Sequence, residues 1–284
     1  MKDASLVCKS NPDQRTVIAL TDTVTVGGDT LLIVGGPCAV ESAEQMDLVA
    51  RHLAHTPVQA LRGGVFKPRT SPYAFQGLGE VGLHILDDIR HRFQMPVISE
   101  VMAESQIEIM ATHVDVLQVG SRNMQNFDLL KALGSVNKPV LLKRGLAATL
   151  EEFVMAAEYI LSHGNPNVIL CERGIRSFDT YTRNVLDLGA VVALKQITHL
   201  PVMVDPSHAA GKRELVPDLA RAAIAAGADG LMVECHPVPD QSVSDARQAL
   251  NLEEMAALAH SLGPMARALG RQLKDDLAIA LTHA

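Results

Sequence analysis

Apolar positions fall into eight short unbroken runs: "LLIVGG" (31–36), "VQALRGG" (58–64), "PVISEVM" (96–102), "VDVLQVGS" (114–121), "KPVLLKRG" (138–145), "NVILCERG" (167–174), "LPVMVDPSH" (200–208) and "ADGLMVECHP" (228–237). Each is rich in Val, Ile and Leu and gives way to glycine, proline or charged residues. Runs that do not alternate with polar residues are the pattern of parallel strands covered on both faces. Between them the apolar positions take a helical period. Three of these segments open on a capping sequence: Ser42 with Gln45, Thr149 with Glu152, and Asn251 with Glu254. Proline stands just before several strands, at Pro57, Pro96, Pro139 and Pro201. Eight strand–helix units over about 250 residues predict an α/β fold of the (β/α)8 barrel type, with a doubly wound open sheet as the alternative.

The repeat leaves out both ends. Residues 1–30 read as an N-terminal extension. Within it, 1–15 are polar and expected to be loose. The stretch "TVIALTDTVTVGGDTLLI" predicts a short strand and a turn at Gly27–Gly28, a hairpin able to plug the bottom of the barrel. The barrel is expected over 31–270 and a C-terminal helical tail over 271–284, which leaves no stretch for a fused regulatory domain.

Composition narrows the class. The 284 residues are 48% hydrophobic but only 3% aromatic, with no Trp, so the core is built from Val, Leu, Ile, Ala and Met. A net charge of −7 argues against general nucleic-acid binding. Four cysteines, at 8, 38, 171 and 235, show neither metal-finger spacing nor a disulfide framework, which favours a reducing compartment. No apolar run approaches the ~18 residues of a membrane span. The N-terminus "MKDASLVCKSNPDQR" lacks a signal-peptide core. A cytoplasmic protein with no membrane partner is expected.

In such a barrel the active site lies at the C-terminal ends of the strands. Two constellations fall there. One is a set of bases, Arg62, Lys67, Arg69, Arg122, Lys143 and Arg173, at one end of an acidic protein. Like charges gathered this way repel unless an anion joins them, and Arg forks match carboxylate and phosphate oxygens in pairs. The number of bases implies a substrate with both groups, or two phosphorylated substrates. The other is a set of metal-ligand types, Cys38, His208, Glu234 and Asp245, from the first strand and the last two, which become neighbours when a barrel closes. A thiolate, an imidazole and two carboxylates suit Zn²⁺, Fe²⁺, Mn²⁺ or Co²⁺. From spacing alone, Cys38 could also be a nucleophile, half of a disulfide or a buried filler. Strand parity turns Cys235 toward the helices and Cys171 into the barrel. His236 stays ambiguous beside Glu234.

The motifs "GPCAVES", "RGGVFKPRTSPYAFQGLG", "GSRNMQNFDLL", "KPVLLKRG", "ILCERGIRSFDTYTRNVLDL", "VDPSHAAGKR" and "GADGLMVECHP" occur in this order between about residues 30 and 250. On them the chain resembles the 3-deoxy-D-arabino-heptulosonate 7-phosphate (DAHP) synthases of the type I-beta branch. The resemblance implies condensation of phosphoenolpyruvate with erythrose 4-phosphate, the first step of the shikimate pathway, in a homodimer or homotetramer. It implies a divalent metal on Cys38, His208, Glu234 and Asp245. Arg122, Lys143 and Arg173, with Arg62 and Lys67 nearby, match the phosphoenolpyruvate-binding bases. Lys67-Pro68-Arg69-Thr70 matches the erythrose 4-phosphate motif. Lys67 is expected to donate to the developing alkoxide, Glu100 to orient water, and His208 to act as a catalytic metal ligand. The rival is 3-deoxy-D-manno-octulosonate 8-phosphate synthase, which takes arabinose 5-phosphate; the KPRT form favours erythrose 4-phosphate. A non-catalytic barrel binding phosphorylated metabolites is the remaining alternative.

Overall fold

The computed structural model describes residues 3–68 and 71–274. Its strands are β1 (Ile18–Ala19), β2 (Thr25–Val26), β3 (Leu32–Gly36), β4 (Ala60–Arg62), β5 (Val97–Val101), β6 (Val116–Val119), β7 (Val140–Lys143), β8 (Val168–Glu172), β9 (Val202–Val204) and β10 (Gly230–Glu234). β1 and β2 form a small antiparallel pair. The other eight form a closed parallel barrel in the order β10-β3-β4-β5-β6-β7-β8-β9. Each of the eight apolar runs holds one barrel strand, as its pattern predicts.

Closure is set by β10 against β3, which pair from Gly230↔Leu32 to Glu234↔Gly36. This register puts Glu234 beside the residues that lead to Cys38. The unbroken apolar runs serve two cores, because successive side chains point to opposite faces. Leu32, Val34, Ala60, Ile98, Val116, Leu141, Ile169, Met203 and Met232 fill the barrel interior. Ile33, Leu61, Val97, Leu117, Leu142 and Leu170 pack outward against the helices. Cys171 belongs to the inner cluster and Cys235 to the outer one, as strand parity requires.

The helices begin where the sequence marks them. The Ser42 hydroxyl accepts from the Gln45 amide at 3.1 Å. Thr149–Glu152 and Asn251–Glu254 close reciprocal capping boxes ahead of Leu150–Ser162 and Leu252–Ser261. Each box satisfies two amides that a helix start leaves without partners.

The flanks depart from the pattern in three places. The hairpin turns at 20–24 rather than at Gly27–Gly28, because the Thr21 hydroxyl accepts from the Thr23 and Val24 amides at 3.3 and 3.1 Å. A local side-chain turn of this kind needs no glycine. Ile18, Leu20 and Val26 join the inner cluster of the barrel. The lead-in is anchored rather than loose: Ala4 and Val7 are fully buried, and the Glu158 carboxylate accepts from the Leu6 and Val7 amides. At the other end Gly270, at φ +69°, turns the chain out of Gly263–Ala268, and Gln272 pairs with Thr30 instead of continuing a helix. Residues 275–284, where most of the expected helical tail falls, lie outside the described residues. Among the described residues no helix is long and apolar enough to cross a membrane.

Candidate active site

Cys38 follows β3, Glu234 ends β10, and Asp245 lies in the loop beyond. His208 sits on the short helix Pro206–Ala210, whose cap Asp205 accepts from the His208 amide at 2.9 Å. One ligand atom from each of the four lies within 4.8 Å of every other. The Asp205 carboxylate also accepts from His208 Nδ1 at 2.6 Å, which leaves Nε2 facing the cluster, 3.2 Å from Glu234 Oε1 and 4.0 Å from Asp245 Oδ2. Cys38 Sγ is 3.0 Å from Asp245 Oδ2 and 3.0 Å from Lys67 Nζ.

Burial governs the protonation of these groups. It pushes the Cys38 thiol up to about 12, with the Glu234 charge adding to the effect and Lys67 and Arg62 opposing it. It pushes the His208 imidazole below its ordinary value, against the pull of Asp205 and Glu234, toward the neutral form that binds metals. Burial would raise Glu234, but His208 and Arg62 outweigh it and hold the carboxyl below its usual range. A buried, convergent set of thiol, imidazole and two carboxylates, with the imidazole oriented by a further carboxylate, fits a first-row divalent ion.

Beside this cluster opens a cleft of about 450 Å³. Arg62, Lys67, Pro68, Glu100, Arg122, Lys143 and Arg173 all line it. The structure divides these bases. Arg62 pairs with Glu234, and Lys143 with Asp205. Lys67 Nζ donates to the Cys38 carbonyl at 2.7 Å. Arg173 is buried and, among the described residues, donates only to carbonyls, Gly174 O at 3.2 Å and His208 O at 3.4 Å. Arg122 is exposed and reaches Pro68 O at 3.4 Å. Arg69 and Thr70 lie outside the described residues. Glu100 faces the cleft beside Gly120, where any Cβ would come within 1.9 Å of Glu100 Oε1.

The sequence profile of the DAHP synthetase I family matches residues 13–270. The chain belongs to that family. It is 47% identical over 270 residues to the phospho-2-dehydro-3-deoxyheptonate aldolase of Thermotoga maritima, covering 95% of this chain and 80% of that one. A crystal structure of the Thermotoga maritima enzyme superposes with a TM-score of 0.90 over 94% of this chain and 78% of that chain. A truncated form of the 3-deoxy-D-arabino-heptulosonate 7-phosphate synthase from Thermotoga maritima superposes at 0.88 and 43% identity, covering 95% of this chain and 99% of its own. More distant is the 2-dehydro-3-deoxyphosphooctonate aldolase of Desulfosudis oleivorans, 31% identical over 90% of this chain and 97% of its own.

The barrel of this DAHP synthetase I member brings further residues to the site. Arg176 and Arg183 line the cleft from the loop after β8. Both stand in the motif "ILCERGIRSFDTYTRNVLDL", but a search confined to strand ends passes over them. Asp205 orients His208 and anchors Lys143, a double role visible only in three dimensions. Two other strand-end residues turn away: Arg144 pairs with Glu172 at 2.8 Å and Asp187 at 3.1 Å, outside the cleft lining. His236 stands outside the metal-type cluster; its Nδ1 accepts from the Val238 amide at 3.0 Å, and its Nε2 lies 3.4 Å from Glu41 Oε1.

Proposed function

We propose that the chain condenses phosphoenolpyruvate with erythrose 4-phosphate and water to give 3-deoxy-D-arabino-heptulosonate 7-phosphate and inorganic phosphate, as a metal-dependent cytoplasmic enzyme. One observation carries the proposal: four convergent metal-ligand types border a cleft whose cations Arg122, Arg173 and Arg176 have no carboxylate partner among the described residues. Cations so arranged await an anion with several oxygens.

In this mechanism Arg122, Lys143 and Arg173 hold the phosphoenolpyruvate anion, and the strand ends fix its enol carbon toward the aldehyde. Pro68, Arg69 and Thr70 receive the aldose phosphate or its hydroxyls. Cys38, His208, Glu234 and Asp245 would hold a divalent ion of the Mn²⁺, Fe²⁺, Co²⁺ or Zn²⁺ type, which would supply Lewis acidity for the aldehyde. As the carbon–carbon bond forms, the aldehyde oxygen takes a proton from Lys67 Nζ. Positive charge grows at the phosphate-bearing carbon, where water oriented by Glu100 adds and gives one proton to that carboxylate, the proton that restores Lys67 at the end of the cycle. The resulting tetrahedral centre expels phosphate: the bond from carbon to the phosphate's bridging oxygen breaks as the new hydroxyl passes its proton to the leaving phosphate and the ketone forms, and the neighbouring cations take up the leaving charge.

The test is phosphate release from the two substrates by purified protein. Chelation should abolish release and Mn²⁺ should restore it. Full turnover in excess chelator, or in Cys38→Ala, would overturn the metal role. Erythrose 4-phosphate should be used in strong preference to arabinose 5-phosphate; the reverse preference would assign the octulosonate reaction.

A further inference from the structure

We propose that Arg183 and Gln248 form a clamp that fixes the two carboxylates of the metal-type cluster, each holding one carboxylate oxygen so that the other is turned toward His208. The proposal rests on the metal reading above. Arg183 Nη1 donates to Asp245 Oδ1 at 3.0 Å and to Gln248 Oε1 at 3.2 Å. The Gln248 amide nitrogen in turn donates to Glu234 Oε2. The opposite oxygens, Asp245 Oδ2 and Glu234 Oε1, are those that face His208 Nε2 at 4.0 and 3.2 Å; Asp245 Oδ2 also takes Cys38 Sγ at 3.0 Å, and Glu234 Oε1 takes the Arg62 guanidinium. One guanidinium therefore reaches both acids, one directly and one through an amide. The amide has only one workable orientation, since its oxygen must meet the guanidinium and its nitrogen the carboxylate. Glutamate at 248 would set a second carboxylate against Glu234.

The clamp also answers a backbone cost. Asp245 is a non-glycine residue at φ +57°, a conformation that persists only where its surroundings impose it. The Gln248 backbone N–H donates to Asp245 O at 3.1 Å, and the Arg183 pair holds the side chain. Arg183 is itself placed from behind. Its amide donates to Ala210 O at 3.0 Å, and its stem covers Gly211, where a Cβ would lie 2.6 Å from Arg183 Cβ. The helix carrying His208 thus ends on the glycine that seats Arg183, which ties three ligand positions together.

Outer partners of this kind are worth 10- to 100-fold in metal affinity, about the same range whichever link is cut. Mn²⁺ affinity of the full chain, measured by the paramagnetic signal of free Mn²⁺, should fall about 10- to 100-fold in Arg183→Ala and in Gln248→Leu. The double variant should lose less than the two single losses combined, because Arg183 and Gln248 are bonded to each other and either substitution weakens the other's hold. The Co²⁺-loaded variants should show altered visible bands, a signature that a role confined to folding would not give. Arg247→Gln, an exposed neighbour in the same loop, should bind Mn²⁺ like the parent. Unchanged affinity in both single variants, or fully additive losses, would overturn the clamp. Failure of the parent protein to bind Mn²⁺ would instead overturn the metal reading. Circular dichroism and unfolding temperature separate either result from misfolding.

Discussion

Replacing Arg173 by Met is expected to make the ligand-free protein more stable and to remove its response to phosphoenolpyruvate. Arg173 is 4% exposed, and among the described residues its guanidinium has only carbonyl acceptors. Burial, and then the Arg183 charge against the pull of Asp205, hold it below its ordinary value. A base whose folded-state pKa lies below its unfolded value binds its proton less tightly when folded. Its charge therefore opposes folding at every pH where the unfolded chain carries it, neutral pH included. That opposition ends only above the unfolded pKa of arginine, so substitution rather than pH is the useful perturbation.

The magnitude follows from the partners. Exchanging a buried, poorly paired charge for a hydrophobe of similar length stabilises by about 1–4 kcal/mol. Loss of the bond to Gly174 O costs about 1 kcal/mol. His208 O keeps its bond from Asn184 Nδ2 at 2.9 Å, so it is not stranded. The net gain of up to about 3 kcal/mol corresponds to a rise of up to roughly 6 °C in unfolding temperature. Two charge-assisted bonds to an anion, at about 1.5 kcal/mol each, correspond to a loss of ~100-fold in affinity. The assay is thermal unfolding with and without phosphoenolpyruvate, since a ligand that binds only the folded state raises the midpoint with concentration. A lower midpoint in the ligand-free variant, or an undiminished rise with phosphoenolpyruvate, would refute the reasoning.

Other substitutions probe the remaining roles. Lys67→Met should lower kcat by ~10²–10³-fold, the range for loss of one donor to a developing oxyanion, with circular dichroism unchanged; parent-like kcat would remove Lys67 from the chemistry. Glu100→Gln should lower kcat by at least ~10²-fold with little change in KM for phosphoenolpyruvate. Gly120→Ala should reproduce that loss, because its Cβ would displace the Glu100 carboxylate; full activity in both variants would leave Glu100 without a catalytic role. Ile18, 1% exposed in the plug of the barrel, should cost about 2–4 kcal/mol when replaced by Ala. Unfolding temperature would record that cost, while activity at 25 °C per folded molecule should hold; a parent-like midpoint would mean that the hairpin does not carry core packing.

The barrel was legible because its signal is local. Eight apolar runs bounded by glycine or proline need no long-range information to be counted, and each capping box is a four-residue pattern. The flanks were less legible for a corresponding reason. The hairpin turn depends on the Thr21 hydroxyl, which competes without a glycine to mark it. The lead-in is polar in sequence, but its order comes from Glu158, about 150 residues away. Composition reports what a segment can bury within itself and says nothing of an acceptor presented by a distant helix.

At the site, sequence supplied residue types and topology supplied neighbours, but neither supplied pairing. Six bases read as equivalent along the chain. In three dimensions Arg62 and Lys143 are already tied to Glu234 and Asp205, so their charges first stabilise the acids that surround His208. Arg173 has no such partner among the described residues, and in the proposed reaction its charge acquires one when the anion arrives. The division has a physical consequence for ligand binding. A base already paired with a buried carboxylate offers an incoming phosphate a weakened net field, whereas an unpaired one offers its full charge in a low-dielectric wall. Affinity for phosphoenolpyruvate should therefore depend more steeply on Arg173 than on Arg62. Removing Arg62 should instead act on stability and metal binding, since it leaves the Glu234 carboxylate buried without its guanidinium.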